Sequence, residues 1–229
     1  MKYGILFLIL GLILAAEAMI LGGLGWGLLW PGLSFAIVGC AYLGLGPGVF
    51  GKRSNGTMAW HTVAILGPYL VMTWLTWHVV RAISREDCWN EVGPGLFIGR
   101  RPLAGELPKG ITLVVDLTAE FFECRAVREG CRYIAAPMLD TGVGSERDVQ
   151  ALAHQIASWS GPVYIHCAQG HGRTGTVAAA VLLDAGRCAT VEEAVSMLQA
   201  ARPRLAIGKE QLAFLRRVCS TQSRREDVE

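Results

Sequence analysis

Formal charge is almost absent from the first third of the chain. Residues 1–80 carry only Lys2, Glu17, Lys52 and Arg53, whereas residues 81–229 carry the other 36 of the 40 charged side chains. A soluble domain needs a charged surface, so the first 80 residues do not read as one. The remainder has mixed composition and a length sufficient for one independently folding core. A polybasic tract is missing as well: residues 81–229 balance 18 Lys and Arg against 18 Asp and Glu. That balance argues against a nucleic-acid partner, which calls for a concentrated basic face. The run Arg224-Arg225-Glu226-Asp227 reads as a solvated terminus. Also lacking among the seven cysteines (Cys40, Cys88, Cys124, Cys131, Cys167, Cys188 and Cys219) is any C-x-x-C pair or nearby histidine pair at metal-ligand spacing. Neither a zinc site, a disulfide framework nor a cofactor is expected, and a reducing compartment suits the set.

What fills the charge-poor region is apolar sequence of spanning length. Residues 3–21 form a run broken only by Glu17, about what a helix needs to cross a hydrocarbon core. Another apolar stretch follows directly, unlike the polar sequence expected after a cleaved signal peptide. The glycine-rich segment 22–27 is expected to turn, a second span to occupy 28–46, and a third to occupy 58–80 after the polar loop 51–56. Trp60, Trp74 and Trp77 stand near the ends of the third run, where amphipathic rings favour the interface. The division expected is residues 1–82 as a multi-span membrane region and 83–229 as a soluble domain on the cytoplasmic side. Glu17, His61 and His78 are read as structural.

Past residue 82 the pattern changes. Leu96–Gly99, Ile111–Leu117, Tyr133–Ala136 and Val163–His166 read as short buried strands, and Glu91–Gly95 as a turn. Ser145 with Asp148, and Thr190 with Glu193, mark helix starts. Alternating strands and helices predict an α/β sandwich around a largely parallel sheet.

The chemistry concentrates in Val163-Tyr164-Ile165-His166-Cys167-Ala168-Gln169-Gly170-His171-Gly172-Arg173-Thr174-Gly175. It reads as strand, tight loop, helix. A five-residue loop between a cysteine and an arginine at a helix N-terminus can wrap its N–H groups around one phosphate dianion. Gly170 and Gly172 permit the backbone shapes this demands. Arg173 adds a planar fork of donors with permanent charge, and the donors with the helix dipole favour Cys167 as a thiolate nucleophile. The loop backbone and side chains, Ala168, Gln169, Gly170, His171 and Gly172 with Arg173, form the expected substrate cradle.

This segment resembles the signature H-C-x-x-G-x-x-R-[ST] of the cysteine-based protein tyrosine phosphatases, with His166, Cys167, Gly170, Arg173 and Thr174 at the fixed positions. Gly172 and Gly175 bring it nearest to the dual-specificity branch. The resemblance extends over most of residues 92–218 and implies that branch's fold, preceded here by membrane helices that the bare catalytic module lacks. It also implies two steps, phosphoryl transfer to Cys167 and hydrolysis of the phosphocysteine, with one carboxylic acid serving both. Asp140, 27 residues before the cysteine in a glycine-rich loop, is the expected acid, with Asp116 a weaker rival read as a structural carboxylate. Glu120, Glu123 and Asp148 are read as helix-surface or capping groups.

Thr174 is expected to donate to the cysteine sulfur, and His166 to support the loop. Gln169 and His171 face either the loop mouth or solvent. Gln211 is either a water-positioning group, as the resemblance suggests, or a surface helix residue. Arg202 and Arg204 either draw in phosphorylated substrates or form a charged turn around Pro203. Cys124 is either a protective disulfide partner for Cys167 or an unmatched thiol. The expected activity is hydrolysis of phosphate monoesters on phosphotyrosine or other phosphorylated protein side chains. A phospholipid or phosphoinositide substrate, and an inactive module that binds phospho-ligands, are the alternatives.

Overall fold

The structure, a computed structural model, describes the backbone of residues 2–226 and the side chains of residues 2–219. The expected solvated tail at 224–227 lies outside the described side chains. The chain divides into two compact units: residues 1–85 with 119–122, and residues 86–118 with 123–229.

The first unit is helical. It contains α1 (Lys2–Leu21), α2 (Leu29–Cys40) and α3 (Trp60–Ile83). The segment 22–27, expected to turn, instead forms most of a 3₁₀ helix (Gly23–Leu28) that runs into α2, and a π turn (Ala41–Leu45) continues it. Three helical segments, Lys2–Leu21, Gly23–Leu45 and Trp60–Ile83, are long and apolar enough to cross a membrane. Small residues set how closely the first two approach. A Cβ on Gly11 would come 2.7 Å from the Gly32 carbonyl oxygen, and one on Gly39 would come 2.9 Å from that of Gly4. Side chains there would push the backbones apart, and close backbone approach is a main source of attraction between helices in lipid.

Pro68 inside α3 has no N–H and leaves the Ala64 carbonyl without its usual donor. The Trp30 indole of α2 donates to that carbonyl at 2.9 Å, and Ser34 Oγ accepts from the Tyr69 N–H at 3.3 Å. The backbone groups disturbed by the proline are thus satisfied from the neighbouring helix, as an apolar surrounding requires. Phe7, Phe35 and Phe50 pack their rings around Tyr69 at centroid distances of 5.6–6.1 Å. Glu17 is exposed in the last turns of α1 and does not face a neighbouring helix.

The second unit is an α/β sandwich. Its sheet runs β1 (Trp89–Gly93), β2 (Leu96–Arg100), β5 (Val163–Cys167), β3 (Leu113–Thr118), β4 (Arg132–Met138) across its width. Every pairing is parallel except the β1–β2 hairpin. The sequence reading missed β1. Its turn is confined to Pro94–Gly95, where Gly95 takes φ +77, so Glu91–Gly93 remain extended and pair with β2.

Side-chain alternation assigns the two faces. Leu113, Val115, Leu117, Val163, Ile165 and Cys167 enter the larger core with α5 (Glu146–Ala157), α6 (Gly172–Asp184), α7 (Val191–Ala201) and α8 (Lys209–Glu226). Val114 and Tyr164 point the other way, into a smaller cluster with Val127 of α4 (Arg125–Gly130). The helix starts follow their caps: Ser145 Oγ accepts from Asp148 N, and Thr190 with Glu193 closes a full capping box.

Candidate active site

The loop between β5 and α6 turns sharply at Gly170, where φ is +74. A Cβ there would lie 2.3 Å from the Gly99 carbonyl carbon and 2.6 Å from the Arg100 amide nitrogen, so no other residue fits. The Arg101 N–H donates to the Ala168 carbonyl at 3.3 Å, which ties the loop to the chain just past β2. The Gly170 N–H in turn points at Cys167 Sγ at 3.3 Å. Cys167 itself is buried at the end of its strand.

Arg173 enters from the first turn of α6, with only 2 % of its surface exposed. Its Nη1 donates to the Met138 carbonyl at 3.0 Å, and Nη2 lies 3.3 Å from Asp140 Oδ1. The loop after β4 therefore meets the signature loop at this guanidinium. The Asp140 side chain is 67 % exposed and open to water, whereas Asp116 is wholly buried. Asp116 accepts from the Thr118 N–H, the Thr118 hydroxyl and the Tyr133 hydroxyl, as a structural carboxylate does. Burial, followed by the nearby Asp116 charge, pushes the Tyr133 phenol well above its ordinary range. Thr141, next to Asp140, has φ +58, a strained conformation for a β-branched residue.

Thr174 Oγ1 is buried without a hydrogen-bond partner on the turn that follows Arg173. His166 stands one residue before the cysteine, so its ring lies on the opposite sheet face. There it stacks on Tyr164 and lies 3.5 Å from Glu123 Oε2. Of the two readings given for Glu123, helix surface or capping group, the surface one fails, and Glu123 Oε1 accepts from the N–H of Cys124, the N-cap of α4, at 2.7 Å. It is buried ahead of α4, within 3.6 Å of Arg101 as well as near His166, and Glu120 is also buried.

Gln211 is not a surface residue either. At 2 % exposure, it donates to the Gly142 carbonyl at 3.3 Å and accepts from the Gly208 N–H at 3.0 Å. A Cβ on Gly172 would lie 2.7 Å from its Oε1. It thus packs between the Asp140 loop and the start of α6.

Arg202 is buried too, which disfavours the substrate-attracting one of its two readings, while Arg204 is exposed. Gln169 and His171 are half-buried, and His171 Nε2 lies 3.2 Å from Glu86 Oε2. Glu86 drew no attention in the sequence because nothing local marks it. His171 and Arg202, which meet it, are more than 80 residues away.

The thiols separate by environment. Burial pushes those of Cys131, Cys188 and Cys219 up, which disfavours their thiolates. Cys124 packs on the smaller cluster while Cys167 belongs to the larger one, and each is a free thiol.

Asp116, Glu123 and His166 have potential metal-ligating atoms within 4.8 Å of one another. Hydrogen bonds from Thr118 and Tyr133 occupy Asp116, and the fixed charge of Arg101 3.6 Å from Glu123 disfavours a cation there.

A family model described as Swiss Army Knife protein, DSP-PTPase phosphatase domain (PTP-SAK), matches residues 103–228. The chain belongs to this family. Solved structures agree on the fold. Human DUSP28 superposes with a TM-score of 0.53 at 18 % identity, covering 60 % of this chain and 97 % of its own. Tk-PTP in the active form gives 0.53 at 23 %, covering 58 % and 97 %. PTPMT1 in complex with PI(5)P gives 0.54 at 20 %, covering 61 % and 99 %. No curated protein sequence matches. Membership in the PTP-SAK family makes the second unit a phosphatase domain of the cysteine-based superfamily, with a five-stranded sheet of that fold.

Proposed function

We propose that the chain is a membrane-anchored, cysteine-dependent phosphatase that hydrolyses phosphate monoesters through a phosphocysteine intermediate. Residues 1–82 anchor it and residues 83–229 carry the chemistry. The observation that carries this reading is the meeting at Arg173 of the Cys167 loop and the Asp140 loop.

In the first step Cys167 Sγ attacks phosphorus, the bond to the leaving oxygen breaks, and the Asp140 carboxyl gives that oxygen its proton. Arg173 and the loop N–H groups, Gly170 among them, hold the three equatorial oxygens, where the charge develops. In the second step the Asp140 carboxylate takes a proton from water as the water attacks phosphorus, the S–P bond breaks, and inorganic phosphate leaves. The unpartnered Thr174 hydroxyl donates to the departing sulfur. Gln211 holds the Asp140 loop through the Gly142 carbonyl, and His166 supports the loop from the opposite face.

A phosphorylated protein is the substrate class we favour, with phosphotyrosine first. The variable positions Ala168, Gln169 and His171 include no lysine for a highly charged headgroup, and the Arg202 guanidinium is engaged within the fold. A phosphatidyl monoester is a second reading, favoured by the three apolar helices, which would keep the pocket near headgroups.

The test is release of phosphate from a chromogenic aryl ester by the full chain in micelles, with vanadate as inhibitor. Cys167→Ser is expected to abolish turnover; unchanged turnover would end the mechanism. Phosphotyrosine peptides and phosphatidylglycerophosphate in micelles, compared by kcat/KM, then divide the two substrate classes.

A further inference from the structure

One buried charge in the second unit makes four hydrogen bonds, yet the proposed mechanism does not use it. Arg202, at the C-terminal cap of α7, is 2 % exposed. A guanidinium taken out of water has to be matched by acceptors. Its Nη2 donates to Glu86 Oε2 at 2.6 Å and to the Gln169 carbonyl at 3.2 Å. Its Nη1 donates to the Asp87 carbonyl at 3.1 Å and to Asn90 Oδ1 at 2.8 Å. The same Glu86 oxygen lies 3.2 Å from His171 Nε2.

These contacts bracket Gly170. Gln169, before it, is held by its carbonyl, and His171, after it, is held by its ring. Between them is the N–H directed at Cys167 Sγ. Glycine has wide torsional freedom, so the direction of the Gly170 N–H has to be imposed by its neighbours. An oxyanion cradle is effective only when its donors are already aimed before the charge develops.

Glu86 lies three residues beyond the end of α3 and ahead of the matched family region, 103–228. Asp87 and Asn90 come from the same stretch. Resting on the phosphatase reading above, we propose that Glu86 is a positioning residue that holds the oxyanion loop through Arg202 and His171. The segment leading out of the apolar helices thereby completes the phosphate cradle of this chain.

The experiment compares the full chain in micelles with Glu86→Gln, which keeps the shape and drops the charge. A second variant, Arg202→Lys, keeps a charge for Glu86 but loses the fork that reaches Gln169. Glu129→Gln removes an exposed carboxylate elsewhere and serves as control. The readouts are kcat and KM on an aryl phosphate, tungstate affinity, and the thermal midpoint without ligand. Glu86→Gln and Arg202→Lys are each expected to lower kcat/KM and tungstate affinity together by roughly tenfold or more, as for misdirected oxyanion donors. The control is expected to match the native chain.

Native kcat/KM and native tungstate affinity in whichever of the two variants folds would overturn the proposal, even with a lower midpoint, because the buried pair would then hold only the fold. A native chain that binds tungstate but hydrolyses nothing would overturn the phosphatase reading alone, leaving Glu86 to be decided by tungstate affinity. A native chain that does neither overturns both.

Discussion

The Asp140 carboxylate lies 3.3 Å from the Arg173 guanidinium, whose other terminal nitrogen donates to the Met138 carbonyl two residues upstream. One side chain from α6 therefore holds the loop that carries the proposed acid by both backbone and side chain. In the proposed mechanism the group that grips the phosphate also sets the distance at which the proton is delivered.

Removing the proton donor is expected to hurt in proportion to how much the leaving group needs it. For Asp140→Asn we expect kcat on an alkyl or tyrosyl phosphate to fall by roughly 10²–10⁴. The loss on an activated nitrophenyl ester should be much smaller, because that oxygen departs unprotonated. Steady-state kinetics across leaving groups of different basicity check this, and a uniform loss would remove Asp140 from the role.

Gly170→Ala introduces a Cβ where the Gly99 backbone already stands, at a residue with φ +74. The neighbouring atoms are backbone and cannot swing aside. The expected outcome is loss of oxyanion binding together with a drop in stability of about 1–3 kcal/mol or more, the range for a strained backbone position. Thermal unfolding with and without tungstate measures both. Gly186→Ala, at a turn where nothing lies within 4 Å of the added Cβ, separates the cost of positive φ from that of the clash.

In the helical unit, Trp30→Phe keeps the ring and removes the indole N–H that serves the Ala64 carbonyl opposite Pro68. A destabilisation of about 0.5–2 kcal/mol is expected, the range for hydrogen bonds between helices in lipid. Unfolding in mixed micelles measures it. The double variant Trp30→Phe with Pro68→Ala should recover part of the loss, since the alanine N–H can serve that carbonyl.

His171 contributes a pH dependence whose sign follows from its surroundings. Burial is the main cause holding its imidazole below the ordinary value; Glu86 and a backbone hydrogen bond pull it up, while Arg202 and Arg204 push it down. The unfolded chain therefore takes up a proton more readily than the fold does. This part of the stability is whole above the ordinary imidazole pKa of about 6.5 and is lost as pH falls below it. Unfolding free energy measured from pH 7.5 to 5 should decline less steeply in His171→Gln than in the native chain.

How far the sequence could be read depended on how local the cause was. The strand ending at Cys167, the turn at Gly170 and the caps at Ser145 and Thr190 each follow from a few adjacent residues, and each was legible. The hairpin strand β1 was not, because its pairing partner rather than its own composition makes it a strand. The places of Glu123 and Gln211 were left open for a related reason. Polar side chains in or next to helices default to the surface, and it takes distant residues, Arg101 and His166 for one and Gly142 for the other, to hold them inside.

The sequence by itself determined the division into an apolar helical region and a charged α/β domain, since hydropathy and periodicity act residue by residue along the chain. It also determined the order of groups in the signature loop, because five residues between Cys167 and Arg173 leave the backbone few ways to close. Tertiary structure alone decided which carboxylate stands at the guanidinium, which arginine is consumed inside the fold, and that Glu86 reaches the loop. Those outcomes rest on contacts between residues far apart in sequence, whose pairing is set by chain packing and by the cost of leaving any buried charge unmatched.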